Sequence, residues 1–211
     1  KKIDEALFSS LELGKKNLDD GLFLKDINLE KIQKSILKEY NFLTLKPQIY
    51  VCNVDENSVL TGNSLSKIVE EFAQKKKSKI MNISAAIESD ISQIIDENEK
   101  SEFLKSIGMK ETSLSKLIKE GYDLLDLITF FTSGIKESRA WSCKRGTLAP
   151  DAGAKIHSDF KKGFIKAEVI SFEDFLEFNG EQNCKEQGKL RFEGKDYLVL
   201  DSDIITFRFN V

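Results

Sequence analysis

Two short apolar runs, Ile49-Tyr50-Val51-Cys52 and Ile80-Met81-Asn82-Ile83, each stop at a polar turn and are separated by one amphipathic stretch. Strand, helix, strand at that spacing is the unit of a parallel sheet with a right-handed crossover. Pro47 keeps Lys46 out of the helical region, so the first run starts extended and reads as a buried strand. Leu65, Ile68, Val69 and Phe72 recur at helical spacing, which predicts the crossover helix. Parallel strands finish at the same sheet edge, so Asn53-Val54-Asp55-Glu56 and Ser84-Ala85-Ala86-Ile87-Glu88 are delivered side by side. Open α/β sheets bind their ligands outside that edge. An Asn amide carries a donor and an acceptor on one planar fork, and a carboxylate carries two acceptors, so the pair can grip a purine edge. Taken alone, Asn53–Glu56 is accounted for better as an ordinary polar strand end; the neighbouring turn at Ser84 strengthens the ligand reading.

Upstream, Ile3, Leu7 and Leu11, then Leu29, Ile32, Ile36, Leu37 and Tyr40, predict a helical hairpin linked through Gly21, with Asn28 capping its second helix. The run Lys75-Lys76-Lys77-Ser78-Lys79 suits a solvated helix end, where cations complement the dipole, better than a nucleic-acid patch. Three further helices are expected around Ile91, Ile94 and Ile95, around Phe103, Leu104 and Ile107, and around Leu114, Leu117, Ile118 and Leu125. Gly108 reads as a left-handed C′ stop, and Gly121 as a mark of close packing or a helix end.

Beyond Leu125 the pattern turns to strands. Ile128–Phe131, a Ser133-Gly134 turn and Ser138–Cys143 predict a hairpin. Pro150 opens a helix, Phe164–Ile170 is a strand, and Ser171 to Asp174 is a loose capping box. Tyr197–Leu200 and Ile204–Phe209 read as closing strands around Asp201-Ser202-Asp203. Trp141 and Phe164 are assigned to the core and His157 to a structural hydrogen bond. Strands with one or two helices over this length imply a separate α+β domain after an α/β one.

Bulk composition sets limits. The 211 residues are 40% hydrophobic and 32% charged, with a formal net charge of -3, which describes a globular chain of more than one compact unit. No apolar run approaches a membrane span, and no signal-peptide pattern is present, so a cytoplasmic protein without membrane contact is expected. Cys52, Cys143 and Cys184 are scattered and odd in number, and one histidine cannot build a multi-histidine site; reduced thiols and no metal site are expected. The opening Lys1-Lys2-Ile3, without methionine and inside a helical pattern, suggests a piece of a longer protein, expected to be monomeric.

Several segments together resemble one family: Phe42-Leu43-Thr44-Leu45-Lys46-Pro47 running into Asn53-Val54-Asp55-Glu56, Ser84-Ala85-Ala86-Ile87-Glu88, Gly134-Ile135-Lys136-Glu137-Ser138-Arg139-Ala140-Trp141, Lys155-Ile156-His157-Ser158-Asp159-Phe160, Ile170-Ser171-Phe172-Glu173-Asp174-Phe175 and Gly194-Lys195-Asp196-Tyr197. In this order they are similar to the YchF, or Obg-like ATPase, family, across essentially the whole chain. The resemblance implies a P-loop NTPase domain interrupted by a coiled-coil insertion and followed by a ubiquitin-like β-grasp module, TGS. Residues 1–45 would then be the later part of the coiled coil, 46–125 the C-terminal part of the nucleotide-binding domain, and 126–211 the TGS domain.

The resemblance further implies an ATP- or GTP-binding hydrolase using Mg²⁺, associated with translation. Asn53 and the Val54 backbone are expected to contact the base, with Glu56 and the backbones of Ser84 and Ala85 beside it. The family's relatives with Asn-Lys-x-Asp read guanine; here Val54 and Glu56 stand at the second and fourth positions, which implies a weakened guanine preference. Neither GxxxxGK[ST] nor DxxG occurs in the 211 residues, so the phosphate cradle and the Mg²⁺ ligands are missing. No catalytic residue is assigned, nucleotide is not expected to bind tightly, and the chain alone is expected not to hydrolyse it.

Charge in the last domain is segregated. Arg139, Lys144, Arg145, Lys155, Lys161, Lys162 and Lys166 face only Asp151 and Asp159 in the same stretch, whereas Glu168 to Glu186 is strongly acidic. Seven cations can make several phosphate contacts. An ordinary mixed surface is the other reading, and the resemblance tilts the choice to ribosome or RNA contact. The rival to a translation-associated NTPase is a stand-alone, non-enzymatic RNA- or ribosome-binding module.

Overall fold

The structure, a computed structural model, describes residues 5–134 and 137–210. The chain divides between Leu124 and Leu125 into two compact units, together a mixed α/β protein.

The first unit opens with a hairpin of α1 (Glu5–Asp19) and α2 (Lys31–Glu39). Between them the chain turns at Gly21, whose φ of 72° favours glycine, and makes a 3₁₀ turn at Leu24–Asp26. The seam is built from small residues. Ser10 and Gly14 are the buried positions of α1, and a Cβ on Gly14 would sit 3.4 Å from the buried Leu37. Leu7 and Leu11 flank this seam half-buried, and Ile3 lies outside the described residues. Asn28 does not cap α2. Glu30 does, its N–H donating to Gln33 Oε1 at 3.0 Å, because a Gln three residues on can close the reciprocal bond.

β1 (Ile49–Asn53) and β2 (Lys79–Ile83) pair in parallel from Ile49↔Lys79 to Asn53↔Ile83, with α3 (Ser64–Lys75) as the crossover. The βαβ unit is therefore as expected, but its apolar faces are not buried. α3 buries Ser66 and Ala73, whereas Leu65, Ile68 and Phe72 are 71%, 65% and 44% exposed. Val51 on β1 is exposed as well. Asn63 starts α3, its Oδ1 accepting the N–H groups of Leu65 and Ser66 at 3.1 and 2.9 Å.

α4 (Ala85–Gln93), α5 (Glu97–Ser106) and α6 (Ser113–Leu124) follow. Val59, with Ile87 and Ile91 of α4 and Leu104 of α5, forms a small core. The helix expected around Ile91–Ile95 is displaced. It begins at Ala85, because Ser84 caps it, and ends before Ile94 and the exposed Ile95. Gly108 is the left-handed stop, with φ 76°, its N–H on Lys105 O at 3.0 Å and Met109 N–H on Leu104 O at 2.8 Å. Gly121 marks neither close packing nor a helix end: it lies within α6 with open space where a Cβ would stand.

The second unit contains β3 (Leu127–Ser133), β4 (Ser138–Lys144), α7 (Ala149–Gly153), α8 (Ser158–Lys162), β5 (Phe164–Ile170), α9 (Phe172–Glu177), α10 (Glu181–Glu186), β6 (Arg191–Glu193) and β7 (Ile204–Phe209). Their sheet order is β4-β3-β7-β5-β6, with β3 and β7 parallel and the other pairs antiparallel. Of the predicted turn between β3 and β4, residues 135–136 lie outside the described residues. Ile128, Phe130, Ala167, Val169, Ile205 and Phe207 fill one face of the sheet and pack with Ala149 and Ala152 of α7. Phe164 is buried, and Trp141 packs on this core while its Nε1 donates to Thr132 Oγ1 at 3.0 Å.

Tyr197–Leu200 is not a strand. It makes one isolated bridge, Leu148↔Leu198, and is otherwise organised by a side chain, the buried Asp203. Asp203 Oδ2 accepts from Tyr197 OH at 2.7 Å and from Leu200 N–H at 2.9 Å, and Arg191 reaches Oδ1 at 3.4 Å. A short carboxylate replaces the ladder there. β6 and α10 carry too few apolar residues to announce themselves in the sequence.

Candidate functional site

The edge where β1 and β2 end is assembled by side chains acting as backbone partners. Asn53 is the last residue of β1, and its Oδ1 accepts the Ala85 N–H, one of the free donors of the first turn of α4, at 3.1 Å. Ser84 is buried and caps the same helix through Oγ to Ile87 N–H at 3.5 Å. Glu88 accepts the Ser113 N–H at 2.6 Å, anchoring the start of α6. Asn53 and Ala85 are thus joined directly, with Ser84 as the buried pivot.

Val54 plays a different part. Its side chain is buried and its N–H donates to Ile83 O at 2.8 Å, extending the ladder by one rung. Of the Val54 backbone, only the carbonyl is left for a ligand. The adjacent carboxylates divide their work. Asp55 takes the Ser58 hydroxyl at 2.9 and 2.8 Å, and that hydrogen bond holds its pKa below the usual carboxylate value. Glu56 stands exposed in the 3₁₀ turn Glu56–Ser58, without a hydrogen bond or ion pair among the described residues. The loop is tied down by Asp55, and Glu56 is the carboxylate open to a ligand. The Asp55-x-x-Ser58 spacing, which resembles a cap, was the signal for that tie.

This edge can offer the two N–H donors of the Asn53 amide, whose oxygen is occupied, and the acceptor oxygens of Glu56. A purine N7 accepts in adenine and guanine alike, so the Asn53 donors do not discriminate between them. Among the described residues no group of three or more His, Cys, Asp or Glu side chains is placed to hold a metal ion.

The seven cations from Arg139 to Lys166 are spread over several elements of the second unit. Arg139 and Lys144 lie on the edge strand β4, and Lys166 on β5, with β3 and β7 between them. Most have local partners: Arg139 with Glu137 at 3.0 Å, Arg145 with Asp126 at 3.4 Å, Lys161 with Asp151 at 2.5 Å, Lys162 with Asp159 at 3.9 Å and Lys166 with Glu168 at 3.5 Å. Lys144 donates to the Leu125 carbonyl, and Lys155 is exposed with no ion pair among the described residues. Arg139 also lies over Trp141 at 5.1 Å and Lys166 over the exposed Phe192 at 3.9 Å. His157 caps α8, its Nδ1 accepting the Asp159 N–H at 3.3 Å.

Comparison with known proteins decides the family. Residues 127–210 match the family described as YchF-GTPase_C, "Protein of unknown function (DUF933)". The "Ribosome-binding ATPase YchF" of Haemophilus influenzae is 48% identical over 194 residues, covering 92% of this chain and 53% of that protein. The chain belongs to the YchF family. The protein of the same name from Bacillus subtilis is 42% identical over 189 residues, covering 89% of this chain and 51% of its own length. The solved YchF GTPase of Schizosaccharomyces pombe superposes with a TM-score of 0.80 at 27% identity, covering 95% of this chain and 53% of its own. This YchF-family chain spans about half the length of the curated relatives it matches.

Proposed function

We propose that this chain is the carboxyl-terminal part of a ribosome-associated ATP- or GTP-hydrolysing protein and carries the base-reading half of its nucleotide site. The observation that carries the reading is the 48% identity with a ribosome-binding ATPase over nearly the whole chain. Residues 1–45 are the later part of a coiled-coil insertion, 46–125 the end of a P-loop nucleotide domain, and 126–211 a TGS module. In support of the last, the order β4-β3-β7-β5-β6 with one central parallel pair is the order of a ubiquitin-like β-grasp sheet. In support of the second, the exposed stripe of α3 beside a two-stranded parallel sheet is unusual for such sheets, which are normally covered.

In this reading Asn53 donates to the purine N7, Glu56 accepts from the base edge, and Ser84 and Ala85 set the backbone beside it. The phosphates and Mg²⁺ are held by residues other than these, so the chain alone binds purine weakly and hydrolyses nothing. Arg139, Lys144, Arg145, Lys155, Lys161, Lys162 and Lys166 supply ribosome or RNA contacts, with Lys155 the least encumbered. The protein works as a cytoplasmic monomer; no helix of the described residues is long and apolar enough to cross a membrane.

Calorimetric titration with ATP and GTP tests the base site, and sedimentation with ribosomes over a salt series tests the basic residues. Purine-dependent heat lost in Asn53→Ala is the expected result. Ribosome binding without any nucleotide response would favour the self-sufficient binding module instead, and neither response would overturn both.

A further inference from the structure

The link from α4 to α5 carries a surface feature that lies wholly within the first unit. α4 stops at Gln93, Ile94 continues extended, and Asp96 already caps α5, its Oδ1 accepting the N–H groups of Asn98 and Glu99 at 2.9 Å each. Only Ile94 and Ile95 lie between, and Ile95 is 95% exposed. A lone exposed isoleucine is ordinary on a protein surface. This one borders an open groove of about 810 Å³, whose apolar lining is completed by Ile94 and by Phe103, itself packed on the small core beside α4 and α5. Four carboxylates, Asp90, Asp96, Glu97 and Glu99, line the same groove, and no lysine, arginine or histidine does.

The helices that carry these carboxylates account for only some of them. Asp96, Glu97 and Glu99 stand at the start of α5, where negative charge complements the dipole, and Glu97 also pairs with Lys100 at 3.6 Å. Asp90 has no such account. It lies toward the carboxyl end of α4, where the dipole favours cations, and its side chain makes no hydrogen bond or ion pair among the described residues. The Glu99 carboxylate has no partner there either. Among the described residues no three such groups are placed to hold a metal ion, so the charge is spread along the groove and suits several separated cations.

We propose that this groove docks a basic segment of a partner protein, which seats an apolar side chain on Ile94, Ile95 and Phe103 and brings lysine or arginine beside Asp90 and Glu99. Charge decides the occupant. A wall of carboxylates repels phosphate, which sets nucleic acid and anionic membrane surfaces aside. Apolar surface rimmed by polar groups marks protein contacts, and complementary charge selects among partners. Neither the base site nor ribosome binding is assumed, and the test uses neither.

The test is fluorescence anisotropy of the full chain with a labelled peptide of lysines and interspersed leucines, over a salt series, without nucleotide or ribosomes. Saturable binding that salt weakens is expected. Ile95→Ser should weaken it about tenfold through lost apolar contact and leave the salt dependence in place. Asp90→Asn/Glu99→Gln should weaken it several-fold and flatten the salt dependence. The same charge change on carboxylates elsewhere in the unit, Glu12→Gln/Glu71→Gln, should do neither. These positions are exposed, so the variants should fold; circular dichroism checks this, and Asp90→Asn alone replaces the pair if it fails. Unchanged binding in Ile95→Ser, equal binding of a leucine-free oligolysine or of spermine at matched charge, an equal loss in the control, or no binding at all would each overturn the proposal. So would a dimer in sedimentation velocity that Ile95→Ser dissolves, since the groove would then belong to a second copy of the chain.

Discussion

The side-chain oxygen of Asn53 accepts the backbone N–H of Ala85 at 3.1 Å, so the residue that ends β1 also fastens the first turn of α4. One amide therefore has a structural half and a ligand half. Asn53→Ala should lose both, costing about 1 kcal/mol of stability together with the purine heat. Asn53→Asp should keep the tie to Ala85 yet abolish the heat, because a carboxylate has no donor for N7. Urea midpoints alongside calorimetry separate the two effects; equal behaviour of the two variants in both would refute the division.

Tyr197 gives a pH dependence. Burial, then its bond to Asp203, push its phenol up to about 12 from 10.0. A folded-state pKa raised above the unfolded one means that the contribution is complete below about pH 10 and is lost as pH climbs toward 12. Thermal melts should fall across that window, and less so in Tyr197→Phe. Absorbance titration should show one of the four tyrosines ionising late, or not before unfolding.

Gly163 is constrained by proximity rather than by its dihedral angles. A Cβ there would overlap the backbone carbonyl of Asn210, whose N–H already binds Gly163 O at 2.9 Å. Backbone cannot swing aside as a side chain can. Gly163→Ala should destabilise the second unit by about 2–4 kcal/mol, within the range of severe single substitutions, measured by chemical denaturation.

The hairpin and α3 should respond in opposite ways to loss of apolar groups. Leu37 is fully buried, so Leu37→Ala should cost about 2–5 kcal/mol. Ile68 is 65% exposed, and Ile68→Gln should change stability by no more than about 0.5 kcal/mol.

Local chemistry was legible wherever a residue acts on near neighbours. The two strands and their crossover, the stop at Gly108, the Ser171 cap with Asp174 N–H on its Oγ at 3.1 Å, and the hairpin of β3 and β4 all follow from spacing. Ser202, in the turn before β7, takes a positive φ of 67°. Misreadings came where a distant partner decides. Tyr197–Leu200 looks like a strand until Asp203 claims its donors, and Ile94 looks helical until Ser84 sets the start of α4.

The candidate site divides the same way. Asn53, Glu56, Ser84 and Ala85 could be placed at one edge from sequence, because parallel strands of equal length must end together. Which carboxylate ties the loop was carried in the sequence by the Asp55-x-x-Ser58 spacing alone, since Asp55 and Glu56 differ by one methylene, and in the structure the Ser58 hydroxyl lies on Asp55. A lysine-lined groove at the end of α3 was legible only in part. Lys75 to Lys79 form a visible run, but Lys25 and Lys34 join it through the docking of the hairpin linker. Periodicity and caps are short-range, so the sequence by itself determined most of the elements and the two parallel strand ends. Burial and charge are sums over everything that comes near, so only the tertiary structure decided that the α3 stripe stays exposed and that Lys25 and Lys34 line one groove with Lys75 to Lys79.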